Sequence, residues 1–223
     1  MIGPLRESVK RIAYRLPPRL GVMTPRYPYQ VEPAVLAATL SLIDQTRSAG
    51  GSVIEVGVAK GDTSVFVLEH MRSVGDDRPV VFVDTFDGFT PESIDHELSA
   101  RGKPPQPLRS YRYGDRGVFE RKLRRLGYEN FEIVEGDAAR FDWARVAPIG
   151  AMLLDVDLYL PTKAILEAAH PLLCAGGGIV VDDCLPGRPW DGAWQACTEF
   201  CNERALTSTV VGSQGRLLRA VDP

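Results

Sequence analysis

No stretch of this 223-residue chain approaches the roughly 20 unbroken apolar residues that a membrane-spanning helix needs. The N-terminus, MIGPLRESVKRIAYRLPPRL, lacks a compact apolar run followed by a small-residue cleavage site, so it does not read as a secretory signal. A soluble, cytoplasmic protein with no membrane span is expected. Cysteine is scarce: Cys174, Cys184, Cys197 and Cys201 are the four present, none of them in a CxxC pair. Cys197 and Cys201 share a helix face at i and i+4, and they read as ordinary buried thiols of a reducing compartment rather than as a metal or redox element. An excess of one charge is also missing. The formal net charge is −3, which argues against a general nucleic-acid binder.

The chain is too short for two ordinary domains, because single cores stop growing near roughly 250 residues. One domain is expected over 46–223, preceded by a helical appendage over 1–45. Arg6, Lys10, Arg11, Arg15, Arg19 and Arg26 make the start of that appendage locally basic. Such an arm suits packing on a neighbouring subunit, which favours a homodimer, or over the site, and a substrate or membrane contact fits it equally.

What is present is a series of short apolar runs: Ser52 to Val56, Val80 to Val83, Phe131 to Val134, Ala151 to Leu154 and Gly178 to Val181. Runs without alternation fit parallel strands covered by helices on both faces. Helix-like spacing over Asp62 to Val74, Asp115 to Gly127 and Pro161 to Leu173 supplies the crossovers, and Trp190 to Arg204 a further helix. TSTVVGSQGRLLRAV reads as two strands around a Gly-Ser-Gln-Gly turn. The expected fold is α/β, Rossmann-like and doubly wound, with a mostly parallel seven-stranded sheet ending in an antiparallel hairpin. Asp87 to Ser110 is rich in proline, glycine and charge, fits no strand or helix well and is too long for a plain connector. It is read as a mobile lid over about 87–112.

The first strand runs into VIEVGVAKGDTS, where Gly57 and Gly61 let the backbone turn sharply before a helix opens at Asp62 or Thr63. That loop lacks both the Gly-Lys-Ser/Thr of a P-loop and the GxGxxG dinucleotide spacing, so pyrophosphate and a dehydrogenase are disfavoured. Glu55 just before it would repel phosphate and suits the ammonium end of an amino-acid-bearing cofactor such as S-adenosylmethionine. A plain tight turn is the alternative. Asp84, ending the second strand, can accept from ribose hydroxyls. Asp137 and the backbone at Ala138 could read an adenine edge. Thr63, Ser64, Thr85 and Phe86 complete the expected cofactor contacts.

Asp155 ends the fourth strand, and Asp182 and Asp183 end the fifth, so a parallel sheet brings all three to one edge. Like charges at close range need neutralising, and an all-carboxylate set without His or Cys suits a hard cation, Mg2+ ahead of Ca2+ or Zn2+. The alternative is that Asp182 or Asp183 caps the following turn while Asp155 touches only cofactor or substrate.

Taken together, EVGVAKGDTS, DTFDGF at Asp84 to Phe89, EGDAARF, DVDLY with TKAILE, GGGIVVDD and the later AWQACTEF resemble the macrocin O-methyltransferase family from about Ser52 to Phe200. The resemblance implies methyl transfer from S-adenosyl-L-methionine to a hydroxyl of a small natural-product or sugar-bearing acceptor, in a class I methyltransferase fold. It also implies Mg2+ on Asp155, Asp182 and Asp183. Asp157 would position the acceptor or a metal-bound water, and Asp155, Asp157 or His96 of the lid would serve as general base. His170, before Pro171, reads as structural. A metal-independent methyltransferase and a non-catalytic adenosyl-binding or partner-docking domain are the rival readings. Cys184 followed by LPGRPWDG departs from the family pattern, which leaves the acceptor open.

Overall fold

The structure, a computed structural model, describes residues 27–105, 112, 114–188 and 191–220. Strands β1 (Ser52–Val56), β2 (Val80–Asp84), β3 (Phe131–Glu135), β4 (Ile149–Leu154), β5 (Leu173–Val181), β6 (Thr209–Val211) and β7 (Gly215–Arg219) form one sheet. Their order is β3-β2-β1-β4-β5-β7-β6. The first five strands are parallel, and β7 inserts antiparallel between β5 and β6. The expected doubly wound sheet with a terminal hairpin is what forms.

Among the described residues the α-helices are α1 (Pro33–Thr46), α2 (Asp62–Val74), α3 (Pro91–Ser99), α4 (Arg116–Arg125), α5 (Tyr159–Ala169) and α6 (Gly192–Glu203). None is long and apolar enough to cross a membrane. Successive strand residues feed opposite cores. Val53, Val80 and Phe82 join α1, α2 and α4 on one face, whereas Ile54, Val81 and Val83 join α5 and α6 on the other. Both faces are therefore dry, which is why these strands carry apolar runs instead of alternation.

Local chemistry sets the helix ends. Gly61 and Gly75 bracket α2, both left-handed. Asp115 caps α4 by accepting from Val118 N. Helix α5 starts at Tyr159, two residues before the expected Pro161, and α6 starts at Gly192; the expected start of α6 at 190 lies outside the described residues.

Two differences from expectation bear on the site. Within the stretch read as a lid, Pro91–Ser99 forms a regular helix, opened by Thr90 accepting from Ser93 N and by Pro91 in the first turn; residues 106–111 and 113 lie outside the described part. And α1, within the expected appendage, is woven into the main core: Val35, Leu42 and Ile43 are fully buried. Just before α1, Glu32 Oε2 accepts from Ser213 N at 2.8 Å and Gln214 N at 3.3 Å, tying the helix start to the β6–β7 turn. The basic residues of 1–26 lie outside the described residues.

Candidate active site

The C-terminal ends of β1, β2, β4 and β5 open on one cleft, enclosing about 980 Å³ of empty space that includes its open mouth. That is the edge where α/β sheets bind ligands. A smaller pocket adjoins it, and Gln30, Gly57, Ala59 and Asp155 line both.

Gly57 makes the close approach between strands. Its φ is +87°, and a Cβ there would overlap the carbonyl oxygen of Asp155. Gly61, at φ +79°, sits in the same way against the Phe119 ring. The intervening loop is held by Asp84, whose Oδ2 accepts from Val58 N at 2.6 Å and Ala59 N at 3.1 Å and whose Oδ1 accepts from Phe86 N at 2.6 Å. Three backbone donors thus occupy the carboxylate that was expected to serve ribose, and about one of its roughly four lone-pair positions remains for a ligand. Thr85 Oγ1 donates to Gly88 O at 2.5 Å. Asp137 accepts from Ala139 N at 3.0 Å and lines the cleft with Ala138.

Glu55 lines the smaller pocket with Thr63, and it is 3% exposed. Burial pushes its carboxyl up to about 8, and the charge of Asp84 adds to this; the Ser64 hydroxyl opposes it. Even so, Glu55 Oε2 and Ser64 Oγ are both buried without a hydrogen-bond partner of normal geometry. An orphaned buried carboxyl of this kind is a group that water or a donor from a ligand can satisfy.

Across the cleft, single carboxylate oxygens of Asp155, Asp157 and Asp183 lie within 4.8 Å of one another. Asp182 also lines the cleft, is 2% exposed, and keeps Oδ1 without a partner. Burial first, and neighbouring carboxylates second, push Asp155 well above the ordinary carboxylate range. For Asp157 the causes are burial, then a hydrogen bond and charge repulsion from Asp183. Asp182 is raised to about 7, again chiefly by burial and then by Asp183. The closest cluster thus contains Asp157 in the place that the resemblance gives Asp182, with Asp155 and Asp183 common to both sets. Oxygens around one hard cation lie about 3 to 5 Å apart, given metal–oxygen distances of roughly 2.0–2.6 Å, so the cluster has the spacing and the donor chemistry for such an ion.

Ala59, Phe86, Asp157 and Asp183 all line the cleft and all have left-handed backbones, with φ of +49°, +54°, +58° and +48°. Non-glycine residues held this way cost energy and concentrate at functional sites.

His96 is not brought into the cleft wall. It stacks on Tyr159, ring centroids 5.3 Å apart, while Ser93 and Thr90 present the cleft-lining side of α3. His170 is structural: its Nε2 donates to Arg219 O at 2.9 Å and its ring packs against Phe200. Sequence reasoning missed Gln30, Thr90, Ser93 and Pro161 in the wall. For Thr90 and Ser93 a signal was available: a capping threonine followed by proline, with serine three residues on.

This strand order, with β7 antiparallel and the ligand edge at the strands' C-terminal ends, defines a class I methyltransferase fold. The chain belongs to the macrocin-O-methyltransferase (TylF) family, whose model matches residues 36–213. A curated relative from Streptomyces olivaceus, an 8-demethyl-8-(2,3-dimethoxy-alpha-L-rhamnosyl)-tetracenomycin-C 4'-O-methyltransferase, is 30% identical over 145 residues. That match covers 60% of this chain and 52% of the relative, so the chain spans about half the length of the curated relative it matches. Among solved structures, the calicheamicin methyltransferase CalS11 superposes with a TM-score of 0.67 at 20% identity, covering 97% of this chain and 91% of that one. The O-methyltransferase NovP gives 0.68 at 18% identity, covering 85% and 80%. At those identities the likeness establishes the fold.

Proposed function

We propose that this chain transfers a methyl group from S-adenosylmethionine to a hydroxyl of a small, sugar-bearing natural product, with a divalent cation, Mg2+ first, held by the carboxylates of the cleft. The observation that carries the reading is the pairing of an orphaned, buried Glu55 beside the Gly57 turn with a carboxylate cluster on the same edge. One suits the ammonium end of the cofactor; the other suits a hard cation.

Asp155 and Asp183 would hold the cation with Asp157 or Asp182, whose unpartnered Oδ1 is an oxygen such an ion would satisfy. A cation bound there would lower the pKa of the acceptor hydroxyl. Gly57 brings the loop after β1 against the Asp155 backbone, so a cofactor bound at that loop would lie beside an acceptor held at the carboxylates. Asp137 and Ala138 border the adenine end. Asp155 and Asp157 reach the cleft and are the candidate acceptors of the hydroxyl proton, a role for which His96 is turned the wrong way.

The test is isothermal titration of the protein with S-adenosylmethionine and S-adenosylhomocysteine, with and without Mg2+, followed by methylation assays on glycosides bearing free hydroxyls. Micromolar binding and chelator-sensitive methylation are expected, with Asp182→Ala retaining cofactor binding and losing activity. Binding of neither cofactor would overturn the reading; full activity under strong chelation would remove its metal component.

A further inference from the structure

Behind the cleft wall lies a buried ionic network that the proposed chemistry does not use. Helix α3 presents Thr90 and Ser93 to the cleft, but one turn further on the Glu97 side chain, 2% exposed, is buried against α5. Its Oε1 accepts from Tyr159 N at 2.9 Å, and its Oε2 pairs with the Arg101 guanidinium. Arg101, 7% exposed, also donates from Nη2 to Asp191 Oδ1 at 2.6 Å and from Nε to Gln195 Oε1 at 3.0 Å. Lys103 Nζ meets the same Asp191 oxygen at 2.5 Å.

Asp191 immediately precedes α6, and there Ala193 N donates to Asp157 O at 2.9 Å. Gly192 passes so close that a Cβ would stand 2.7 Å from that oxygen. The turn carrying Asp157 is therefore gripped from both sides: Glu97 holds Tyr159 N, and the start of α6 holds Asp157 O. Aspartate tolerates the left-handed region better than most side chains, and these contacts hold the turn there. Buried ion pairs are poor sources of stability and better suited to fixing a geometry.

We propose that Glu97 and Arg101 form a positioning latch that fixes the Asp157 turn, so that the α3 wall of the cleft and the divalent-cation affinity of the carboxylate cluster are set together. This rests on the cation reading above, and neither residue touches the reacting atoms.

The experiment is titration of the whole chain, loaded with S-adenosylhomocysteine, with Mn2+ read by the electron paramagnetic resonance of the free ion. Glu97→Ala should weaken Mn2+ binding roughly tenfold or more, the scale of losing a group that orients metal ligands. Glu97→Gln, whose one amide oxygen can still accept from Tyr159 N while its NH2 faces Arg101, should recover part of that loss. Asp76→Asn, which breaks a buried ion pair at the far end of the sheet, should lower the melting temperature and leave Mn2+ binding unchanged. If Glu97→Ala does not fold, Arg101→Met takes its place with the same expected weakening. Parent-like affinity in these variants overturns the latch alone, as does an equal loss in Asp76→Asn. A parent chain that binds no Mn2+ overturns the latch and the cation reading together.

Discussion

Replacing Glu55 with glutamine should change how stability depends on pH, by an amount the structure allows us to work out. Burial holds this carboxyl at about 8 in the folded chain, against an ordinary value of 4.5. Between those two values the native state keeps a proton that the unfolded chain has released, so stability falls as pH rises. The contribution is fully present below the unfolded value and is lost as pH climbs through the folded one. At about 1.4 kcal/mol per pH unit the whole window is worth about 5 kcal/mol. Glutamine does not titrate. In cofactor-free protein with chelator present, urea unfolding from pH 5 to pH 9 should show Glu55→Gln gaining on the parent by up to about that amount. Asp157 and Asp182 tilt both profiles alike and drop out of the difference, whereas Asp155, which the Glu55 charge helps to push up, adds to it in the same direction. Once S-adenosylhomocysteine is bound, the order should invert, because its ammonium offsets the burial of an ionised Glu55. Binding near neutral pH should then release about one proton, visible as a dependence of titration heat on the buffer's ionisation enthalpy. Parallel unfolding profiles for the two proteins would refute the reasoning.

Arg78 lies under the sheet, 8% exposed, pairing with Asp76 Oδ2 at 2.6 Å and donating to Ile43 O and Gly51 O. Arg78→Met should cost about 3–5 kcal/mol in urea unfolding, since it leaves the Asp76 charge buried and uncompensated; a cost under about 1 kcal/mol would show that the pair contributes little. Burial works to raise the Asp76 pKa, but the Arg78 hydrogen bonds more than reverse this. The stabilisation from this pair should therefore be present at neutral pH and fade as pH falls through the lowered Asp76 value, which acid unfolding of parent against variant would read. Gly57→Ala should abolish S-adenosylhomocysteine binding in isothermal titration and lower the melting temperature, because its Cβ overlaps the Asp155 carbonyl oxygen at a left-handed φ. Intact binding would show that the loop tolerates a side chain there.

The sheet and the edge at which its acids gather were legible because both follow from local pattern. Strands covered on both faces must be apolar throughout, and a parallel arrangement sends Asp155, Asp182 and Asp183 to one edge whatever the details of the packing. Helix α3 was legible only at its start, where Thr90 precedes Pro91; the side chains it buries, Ser93 and Glu97, leave no apolar periodicity to detect. Nor could spacing show that Asp84 is taken up by the backbone of the glycine loop, or that His96 turns to Tyr159. The position of Asp157 depends on a left-handed turn held by Glu97 and Ala193, residues 60 positions before it in one case and on the far helix in the other. Such a side-chain direction belongs to tertiary contacts and has no local signature.

The carboxylate cluster implies a trade between stability and function that one substitution can expose. Asp157 is buried beside Asp183 and Asp182, and its carboxyl is held well above the ordinary range, first by burial and then by the hydrogen bond and charge of Asp183. Because the folded value is raised, the stability that its proton supplies is lost as pH rises through that value. Asparagine tolerates the left-handed backbone, φ +58° here, and its amide can still donate to Asp183 while contributing no charge. In chelator above neutral pH, Asp157→Asn should therefore melt higher than the parent. A cation that binds only the folded state adds stability in proportion to the logarithm of its excess over Kd, about 2.7 kcal/mol at a hundredfold excess. The parent, with the fuller oxygen set, gains more of this than the variant, so saturating Mg2+ should reverse the order of the two melting temperatures. A variant that melts below the parent with no cation present would show that the carboxylates sit together without cost, and the physical case for a cation among them would lose its driving force.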